Sequence, residues 1–247
     1  MSRKQYDRVI LKISGAAFGP PDGKGIDMDE VESIAKRIIE AHELGTEVAV
    51  VVGGGNIVRG AEFQSDLVTP ATADYMGMLA TTINALSLQD TIEHDGPPTR
   101  VMTALSMESV AEPFIRRRAI RHLEKDRIVI LAAGTGNPHF TTDTAAALRA
   151  TEIEAGAVFK ATKVDGVYDK DPKTNPDARR YETISYMDVL SKDLRVMDST
   201  AISMCMEFNL PIVVFNLKEQ GNILRAIKGE TIGTYIGPDV SSKAHDR

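Results

Sequence analysis

Apolar residues along the chain follow two alternating patterns. Short continuous apolar runs are typical of strands that are covered on both faces of a parallel sheet. They predict strands at 9–13, 48–52, 100–104, 127–132, 157–161, 212–215 and 231–236. Between them, apolar residues at spacings of three and four predict helices with one buried face. These helices lie at 26–44, about 71–93, around 145–148, about 199–208 and 223–227, and an Arg-rich helix precedes the strand at 127–132.

The alternation of strands and helices predicts an α/β fold. We expect a three-layer αβα sandwich with a mostly parallel central sheet of about eight strands. No linker, repeat or low-complexity tract divides the sequence, so residues 1–247 are predicted to form a single domain whose second half is a lobe on the same sheet. The polar segment 164–178 predicts a long functional loop.

Composition excludes several classes of protein. The net charge is −6, which argues against a protein that coats nucleic acid. The single cysteine, Cys205, excludes an internal disulfide framework and a four-thiolate zinc site. No apolar run approaches the roughly 20 residues of a membrane span. The first residues run directly into a strand without a signal peptide, so we expect a cytoplasmic protein with no membrane partner.

Glycine clusters follow three of the predicted strands. They are Ser14-Gly15, Gly53-Gly54-Gly55 and Gly134-Thr135-Gly136-Asn137. Ligands of open α/β sheets bind beyond the carboxyl ends of strands, where glycine lets backbone amides approach an anion closely. Any one cluster is also explained as a tight strand-to-helix turn. Three in series predict a site for a long, multiply phosphorylated ligand.

The common phosphate-binding motifs are absent. Phe18 stands where a Walker A loop ending at Gly23-Lys24 requires its first glycine, and Gly25 replaces the Ser or Thr. Val58 stands where the dinucleotide fingerprint beginning at Gly53 requires its last glycine. The chain is therefore neither a P-loop kinase nor a typical Rossmann dehydrogenase.

Two cations accompany the first two glycine clusters. Lys12 interrupts an apolar strand, where a lysine is costly unless it is paired or bound to an anion. Phosphoryl transfer requires cations on the migrating group, which makes Lys12 a candidate. Arg59 follows the glycine triplet and has the planar fork that clamps a phosphate. The structural alternatives are a snorkelling lysine and a solvated arginine at a helix start.

Three acids lie at predicted helix starts, where the helix dipole alone would favour them. Asp74 is a candidate for binding ribose hydroxyls. Asp143 is a candidate for orienting Lys12 and another cation, and Asp198 has the same two interpretations as Asp143. In the loop that follows Lys163, Tyr168 is an exposed aromatic suited to stacking on a base, and an acid within 169–171 is suited to ribose or adenine edges. The Arg-rich helix is more typical of a solvated or subunit-interface face than of an RNA site.

Taken in order, these motifs resemble those of the amino acid kinase superfamily and, within it, the bacterial uridylate (UMP) kinases. The matching stretches cover nearly the whole chain, at 11–15, 52–60, 74–81, 133–143, 160–168 and 196–198. The most specific are Gly-Thr-Gly-Asn-Pro at 134–138 and Asp-Tyr-Met-Gly-Met-Leu-Ala-Thr at 74–81.

The resemblance implies the reaction of ATP with UMP to give ADP and UDP, with Mg²⁺, in pyrimidine nucleotide biosynthesis. It implies a mainly UMP-binding part over about 1–140, which also makes subunit contacts, and a mainly ATP-binding part over about 141–240. The implied catalytic residues are Lys12, Arg59, Asp143 and Asp198. ATP would contact Lys12, Ile13, Ser14, Gly15, Gly55 and Arg59 with its phosphates and Thr162, Tyr168 and Asp171 with its adenosine. UMP would contact Gly54, Asp74, Thr135, Gly136, Asn137, Pro138, His139, Phe140, Thr141 and Thr142.

The resemblance also implies a homohexamer that GTP activates and UTP inhibits. The matching activation segment is Pro20, Pro21, Asp22, Gly23, Lys24 and Gly25. Its two prolines differ from the relatives, and Ala16 stands where many of them carry Glu. We expect phosphate oxygens and water to supply most Mg²⁺ ligands.

Two alternatives remain open. One is an amino acid kinase that acts on a carboxylate such as acetylglutamate or aspartate, against which the 134–138 turn and Asp74 argue. The other is a non-catalytic binding or storage protein on the same scaffold, as in the molybdenum storage proteins. Lys12, Arg59, Asp143 and the segment 162–171 favour catalysis.

Overall fold

The computed structural model describes residues 5–20, 24–58, 67–238 and 240–244, whose strands join in one ten-stranded sheet. The strands are β1 (Arg8–Ile13), β2 (Glu47–Val52), β3 (Thr99–Thr103), β4 (Glu112–Pro113), β5 (Ile128–Ala132), β6 (Ala157–Thr162), β7 (Tyr181–Ser185), β8 (Ile212–Asn216), β9 (Thr234–Gly237) and β10 (Lys243–Ala244). Their order across the sheet is β10-β7-β9-β8-β6-β1-β2-β5-β3-β4. Strand β1 therefore lies in the interior of the sheet.

The α-helices of the described residues are α1 (Met28–Glu43), α2 (Pro70–Asp95), α3 (Arg116–Glu124), α4 (Thr142–Glu152), α5 (Tyr186–Ser191), α6 (Ser199–Glu207) and α7 (Asn222–Ile227). A short 3₁₀ helix, Gly15–Ala17, follows β1. The helix α1 begins where the Asp27 carboxylate accepts the amides of Asp29 and Glu30. Thr69 caps α2 in the same way, and Pro70 occupies its first turn.

Alternate residues of the central strands face two separate cores. Leu11 and Val50 pack with α1, α2 and α7 on one side, whereas Ile10 and Val51 pack with α3, α4, α5 and α6 on the other. This alternation follows from the two-residue period of a strand. The three-layer αβα sandwich predicted from the sequence is confirmed.

The sheet is mostly parallel, also as predicted. Among the described strands, only β8 with β9 and β7 with β10 pair antiparallel. Parallel pairing brings the carboxyl ends of β1, β2, β5 and β6 to one edge of the sheet. The register sets Lys12 of β1 directly beside Lys160 of β6.

Three strands of the sheet are absent from the sequence prediction. β4 and β10 have two residues each, too few for a recognisable pattern. β7 is mostly half-buried and lacks a continuous apolar run. All three lie at or next to the sheet's edges, where burial is incomplete and the apolar pattern is therefore weak. None of the helices in the described part of the chain is long and apolar enough to cross a membrane.

Candidate active site

The first two glycine turns are in direct backbone contact. A Cβ atom on Gly15 would lie 2.4 Å from the Gly55 nitrogen, and one on Gly53 would lie 2.6 Å from the Gly15 nitrogen. A Cβ on Gly54 would meet Ala80 and Gly77 of α2 at 2.8 Å. Packing therefore requires that these three positions lack side chains. Without them, the two turns and α2 can approach one another closely.

Beside these turns, Asp143 lies between two lysines. Lys12 Nζ is 2.7 Å from Asp143 Oδ1, and Lys160 Nζ is 2.6 Å from Asp143 Oδ2. The three side chains are 9%, 12% and 15% exposed for Lys12, Lys160 and Asp143. Two ammonium groups share one carboxylate, so this buried cluster has surplus positive charge, which suits an anionic ligand.

The charges of the cluster alter its pKa values. Burial raises the pKa of Asp143, but Lys12 and Lys160 together hold that pKa below its ordinary value. Burial lowers the pKa of Lys160, Lys12 lowers it further, and Asp143 partly restores it. Asp143 is therefore held as an anion, and its charge favours the ammonium form of the adjacent Lys160.

Lys160 is a candidate that the sequence interpretation did not select. It interrupts the apolar run of β6 in the same way that Lys12 interrupts β1, which was the available signal. It also donates to the carbonyl of Val196. The second cation expected beside Asp143 is thus Lys160 in this structure. Arg59, the other predicted cation, lies outside the described residues, as do Pro21, Asp22 and Gly23.

Asp198 joins the starts of two helices. It caps α6 by accepting the Ala201 amide at 2.9 Å. The same carboxylate accepts the hydroxyls of Thr141 at 2.5 Å and Thr144 at 2.9 Å. Thr141 in turn caps α4, with its hydroxyl accepting the Asp143 amide at 3.0 Å. Asp198 therefore supports the helix turn that carries Asp143, and its capping interpretation is correct.

The turn of residues 133–140, which connects β5 to α4, has an unusual backbone. Two residues other than glycine, Ala133 and His139, have left-handed φ angles of 60° and 72°, and Gly134 and Gly136 are left-handed too. The His139 amide donates to Asp74 Oδ2 at 2.7 Å. Left-handed conformations away from glycine are strained and concentrate at functional sites. We call this segment the 133–140 turn.

The 133–140 turn and the glycine turns line one cavity of about 310 Å³. Of the residues predicted to bind UMP, those that line it are Gly54, Asp74, Thr135, Phe140, Thr141 and Thr142. Gly136, Asn137, Pro138 and His139 belong to the turn without lining the cavity. Residues Gly77, Met78 and Thr81 of α2 also line it, and the sequence interpretation assigned them no individual role.

A second cavity, of about 240 Å³, meets the first at Ser14. Cations dominate its lining, which includes Lys12, Arg37, Lys160, Lys163 and Lys218 against the single acid Glu30. Lys218 pairs with Glu30 at 2.9 Å. Ala16 lines this cavity as well. Arg37 and Lys218 come from elements that carry no recognisable phosphate motif, so sequence analysis could not select them.

A third, open cavity of about 580 Å³ adjoins the second at Lys160 and Thr162. Tyr168 and Asp171, predicted for adenosine, both line it. The prediction of an exposed Tyr168 is wrong: the ring is half-buried, the hydroxyl donates to Asp165 Oδ1 at 2.7 Å, and the backbone pairs with Arg180. This pairing anchors the loop of 164–178 to the start of β7.

No group of three or more His, Cys, Asp or Glu side chains converges on a metal position anywhere in the described part of the chain. Asp143 is occupied by two lysines and Asp198 by two hydroxyls and an amide. The described carboxylates near the cleft therefore do not form a site for a resident metal ion.

Comparison with known proteins identifies the family. The model of the amino acid kinase family matches residues 7–216. The structure is similar to a UMP kinase from Bacillus anthracis, with 39% identity, 98% of this chain and 99% of that chain covered, and a TM-score of 0.95. A UMP kinase from Ureaplasma parvum shows 36% identity, with 95% of this chain and 99% of that chain covered, and a TM-score of 0.88. A uridylate kinase from Archaeoglobus fulgidus shows 28% identity, with 93% of this chain and 99% of that chain covered, and a TM-score of 0.71. On this match over most of its length, the chain belongs to the amino acid kinase family.

Proposed function

We propose that the chain is a UMP kinase that transfers the γ-phosphoryl group of ATP to the phosphate of UMP, giving ADP and UDP. The observation that carries the proposal is the junction at Ser14 between the cationic cavity and the cavity of the 133–140 turn. A donor triphosphate in the first and an acceptor phosphate in the second would meet beside Lys12. The similarity to UMP kinases over nearly the full chain supports this assignment of donor and acceptor.

The donor would lie along the second and third cavities. Its phosphates would contact Lys12 and Ser14 and would reach Gly15 and Gly55 across the junction, where these two glycines line the first cavity. Arg59 would be a further cation, and the adenosine would lie against Thr162, Tyr168 and Asp171. The cationic lining of the 240 Å³ cavity supports this path, since a triphosphate needs several positive partners. UMP would fill the 310 Å³ cavity, with its ribose at Asp74 and its base against the 133–140 turn.

The mechanism is direct in-line displacement. An oxygen of the UMP phosphate forms a bond to the γ-phosphorus of ATP, and the bond from that phosphorus to the bridging oxygen of ADP breaks. The attacking oxygen is already anionic, so no strong general base is required. Catalysis then consists of positioning and charge neutralisation. Lys12 and Lys160 would stabilise the migrating group, while Asp143 holds both and Asp198 positions Asp143.

Magnesium would enter as MgATP, the donor substrate. The described residues near the cleft provide no carboxylate cluster for it, and Mg²⁺ commonly retains phosphate and water ligands.

We further propose a cytoplasmic homohexamer in pyrimidine nucleotide biosynthesis, activated by GTP through residues 20–25 and inhibited by UTP. One domain would span 1–247, with the acceptor site and subunit contacts mainly from 1–140 and the donor site mainly from 141–240. An exposed apolar stripe on α2, formed by Tyr75, Leu79 and Ile83, supports a subunit contact. Light scattering during size-exclusion chromatography tests the assembly, and assays with added GTP or UTP test the regulation.

Release of ADP from MgATP tests the proposed reaction. UMP, CMP, dUMP, acetylglutamate and aspartate are offered separately as acceptors. Strong turnover with UMP and none with the amino acid derivatives is the expected result. Turnover with an amino acid derivative alone would overturn the acceptor assignment, and nucleotide binding without turnover would favour the binding or storage alternative.

A further inference from the structure

Thr81 of α2 contacts the 133–140 turn at Ala133, its first residue. Ala133 is fully buried and has a left-handed φ of 60°. Its amide donates to Thr81 Oγ1 at 2.7 Å, inside the protein. Without this acceptor the amide would be a buried donor with no partner in place, which proteins rarely tolerate.

The geometry around Thr81 fixes the direction of its hydroxyl. Thr81 Oγ1 donates its own proton to the Met78 carbonyl at 2.7 Å, which leaves a lone pair for the Ala133 amide. The side chain is 3% exposed, so water does not compete freely for this oxygen. The proton of the hydroxyl is thus committed to the Met78 carbonyl, and the oxygen is oriented towards the Ala133 amide.

The same turn of α2 also supports the glycine turn. A Cβ on Gly54 would lie 2.9 Å from the Thr81 nitrogen, so the backbone of Gly54 rests against Thr81. Gly54 and residues of the 133–140 turn both line the 310 Å³ cavity. One residue therefore contacts both parts of the cavity wall.

We infer that Thr81 is a positioning residue for the acceptor: its hydroxyl holds Ala133 in the left-handed conformation and so sets the shape of the cavity between Gly54 and the 133–140 turn. The identification of the ligand as UMP rests on the proposed function, whereas the contact between Thr81 and Ala133 does not depend on it. No part of this role involves the donor cavities, whose lining excludes Thr81.

The next residue offers a matched control. Thr82 is also buried, at 4% exposure, and its hydroxyl donates to the same Met78 carbonyl at 3.3 Å. Among the hydrogen bonds of the described residues, none joins Thr82 to the 133–140 turn. Thr81→Val and Thr82→Val therefore make the same chemical change at neighbouring buried positions, but only the first removes the contact with Ala133.

The test combines steady-state kinetics with hydrogen exchange on the full chain. For Thr81→Val, we expect the KM for UMP to rise at least about tenfold while the KM for ATP stays within about twofold. Amide exchange in the 133–140 turn should accelerate at least about tenfold, because the Ala133 amide loses its acceptor. Thr82→Val should change neither quantity, and Thr81→Ser should restore both. If Thr81→Val does not fold, Thr81→Cys, whose sulfur is a weak acceptor, replaces it with the same expected directions.

Three results would overturn the inference: unchanged exchange in the 133–140 turn, an equal rise in both KM values, or the same effects in Thr82→Val. Failure of the proposed function is distinguishable, since it appears as absent UMP turnover in the unmodified chain. The exchange measurement then decides the role of Thr81 by itself.

Discussion

The side-chain amides of Asn56 and Asn84 are hydrogen-bonded to each other in both directions. Asn84 Nδ2 donates to Asn56 Oδ1 at 2.7 Å, and Asn56 Nδ2 donates to Asn84 Oδ1 at 3.1 Å. Asn84 also donates to the Gly53 carbonyl and Asn56 to the Gly25 carbonyl, both at 2.8 Å. This buried pair connects α2, the glycine turn and the end of the 20–25 segment.

Asn84→Asp tests the pair with almost no change in shape. The substitution removes both amide protons and sets a carboxylate against the oxygens of Asn56 and Gly53. We expect the free energy of unfolding to fall by about 3 kcal/mol, because buried acceptors lose their donors and a charge is buried. Urea denaturation measures this change in the free energy of unfolding. Gln220→Glu makes the same amide-to-carboxylate change at an exposed position and should change stability by less than about 0.5 kcal/mol. Equal stability of the two variants would show that the amide pair contributes nothing.

Lys12→Ala tests the proposed cation of the transfer step. We expect kcat at saturating MgATP and UMP to fall more than about tenfold, because the migrating group loses a buried positive partner. Lys36→Ala is the control: Lys36 is an exposed lysine of α1 that pairs with Glu32. Its kcat should stay near that of the unmodified chain. Near-normal turnover in Lys12→Ala would remove Lys12 from the mechanism.

The pH dependence of kcat tests the charge on Lys160. Burial and Lys12 lower the pKa of Lys160, whereas Asp143 and Asp198 raise it. If the transfer uses the ammonium form, kcat falls on the alkaline side at a pH below the ordinary lysine pKa of 10.5. Asp143→Asn removes an anion that favours the ammonium form, so this alkaline decline should move to lower pH.

A pH series of kcat from about 7 to about 10 at saturating substrates measures this shift. Asp95→Asn, an exposed acid at the end of α2, controls for the general loss of one negative charge. An alkaline decline at the same pH in the unmodified chain and in Asp143→Asn would contradict the role given to the cluster.

Gly77→Ala separates stability from acceptor binding. Gly77 lies within α2 and lines the 310 Å³ cavity, and a Cβ there would meet nothing within 4 Å. Alanine favours a helix interior by about 1 kcal/mol over glycine. We expect Tm to rise by about 2–4 °C. The KM for UMP should rise while the KM for ATP is unchanged, since the methyl group takes acceptor space.

Asp90→Ala, on the exposed side of the same helix, should raise stability without changing either KM. A Gly77→Ala variant that binds UMP normally would show that the acceptor does not reach this part of α2.

Much of the fold was predictable because the buried strands are continuous apolar runs. The proximity of Lys12 to Lys160 was not predictable, since it depends on the pairing of two strands that are far apart in the sequence. The left-handed Ala133 was equally hidden, because alanine does not signal that conformation. Tyr168 looked exposed because its loop is polar, whereas the hydrogen bond to Asp165 and the backbone pairing with Arg180 hold it in place.

The place of β1 between β2 and β6 has a consequence for the chain during synthesis. The first two strands emerge from the ribosome long before β6, so until then β1 has an open edge of unpaired amides and carbonyls beside an apolar surface. Any fragment that ends before Ala157 keeps that edge permanently. We expect such fragments to self-associate, because an unpaired strand edge is a template for pairing with another chain.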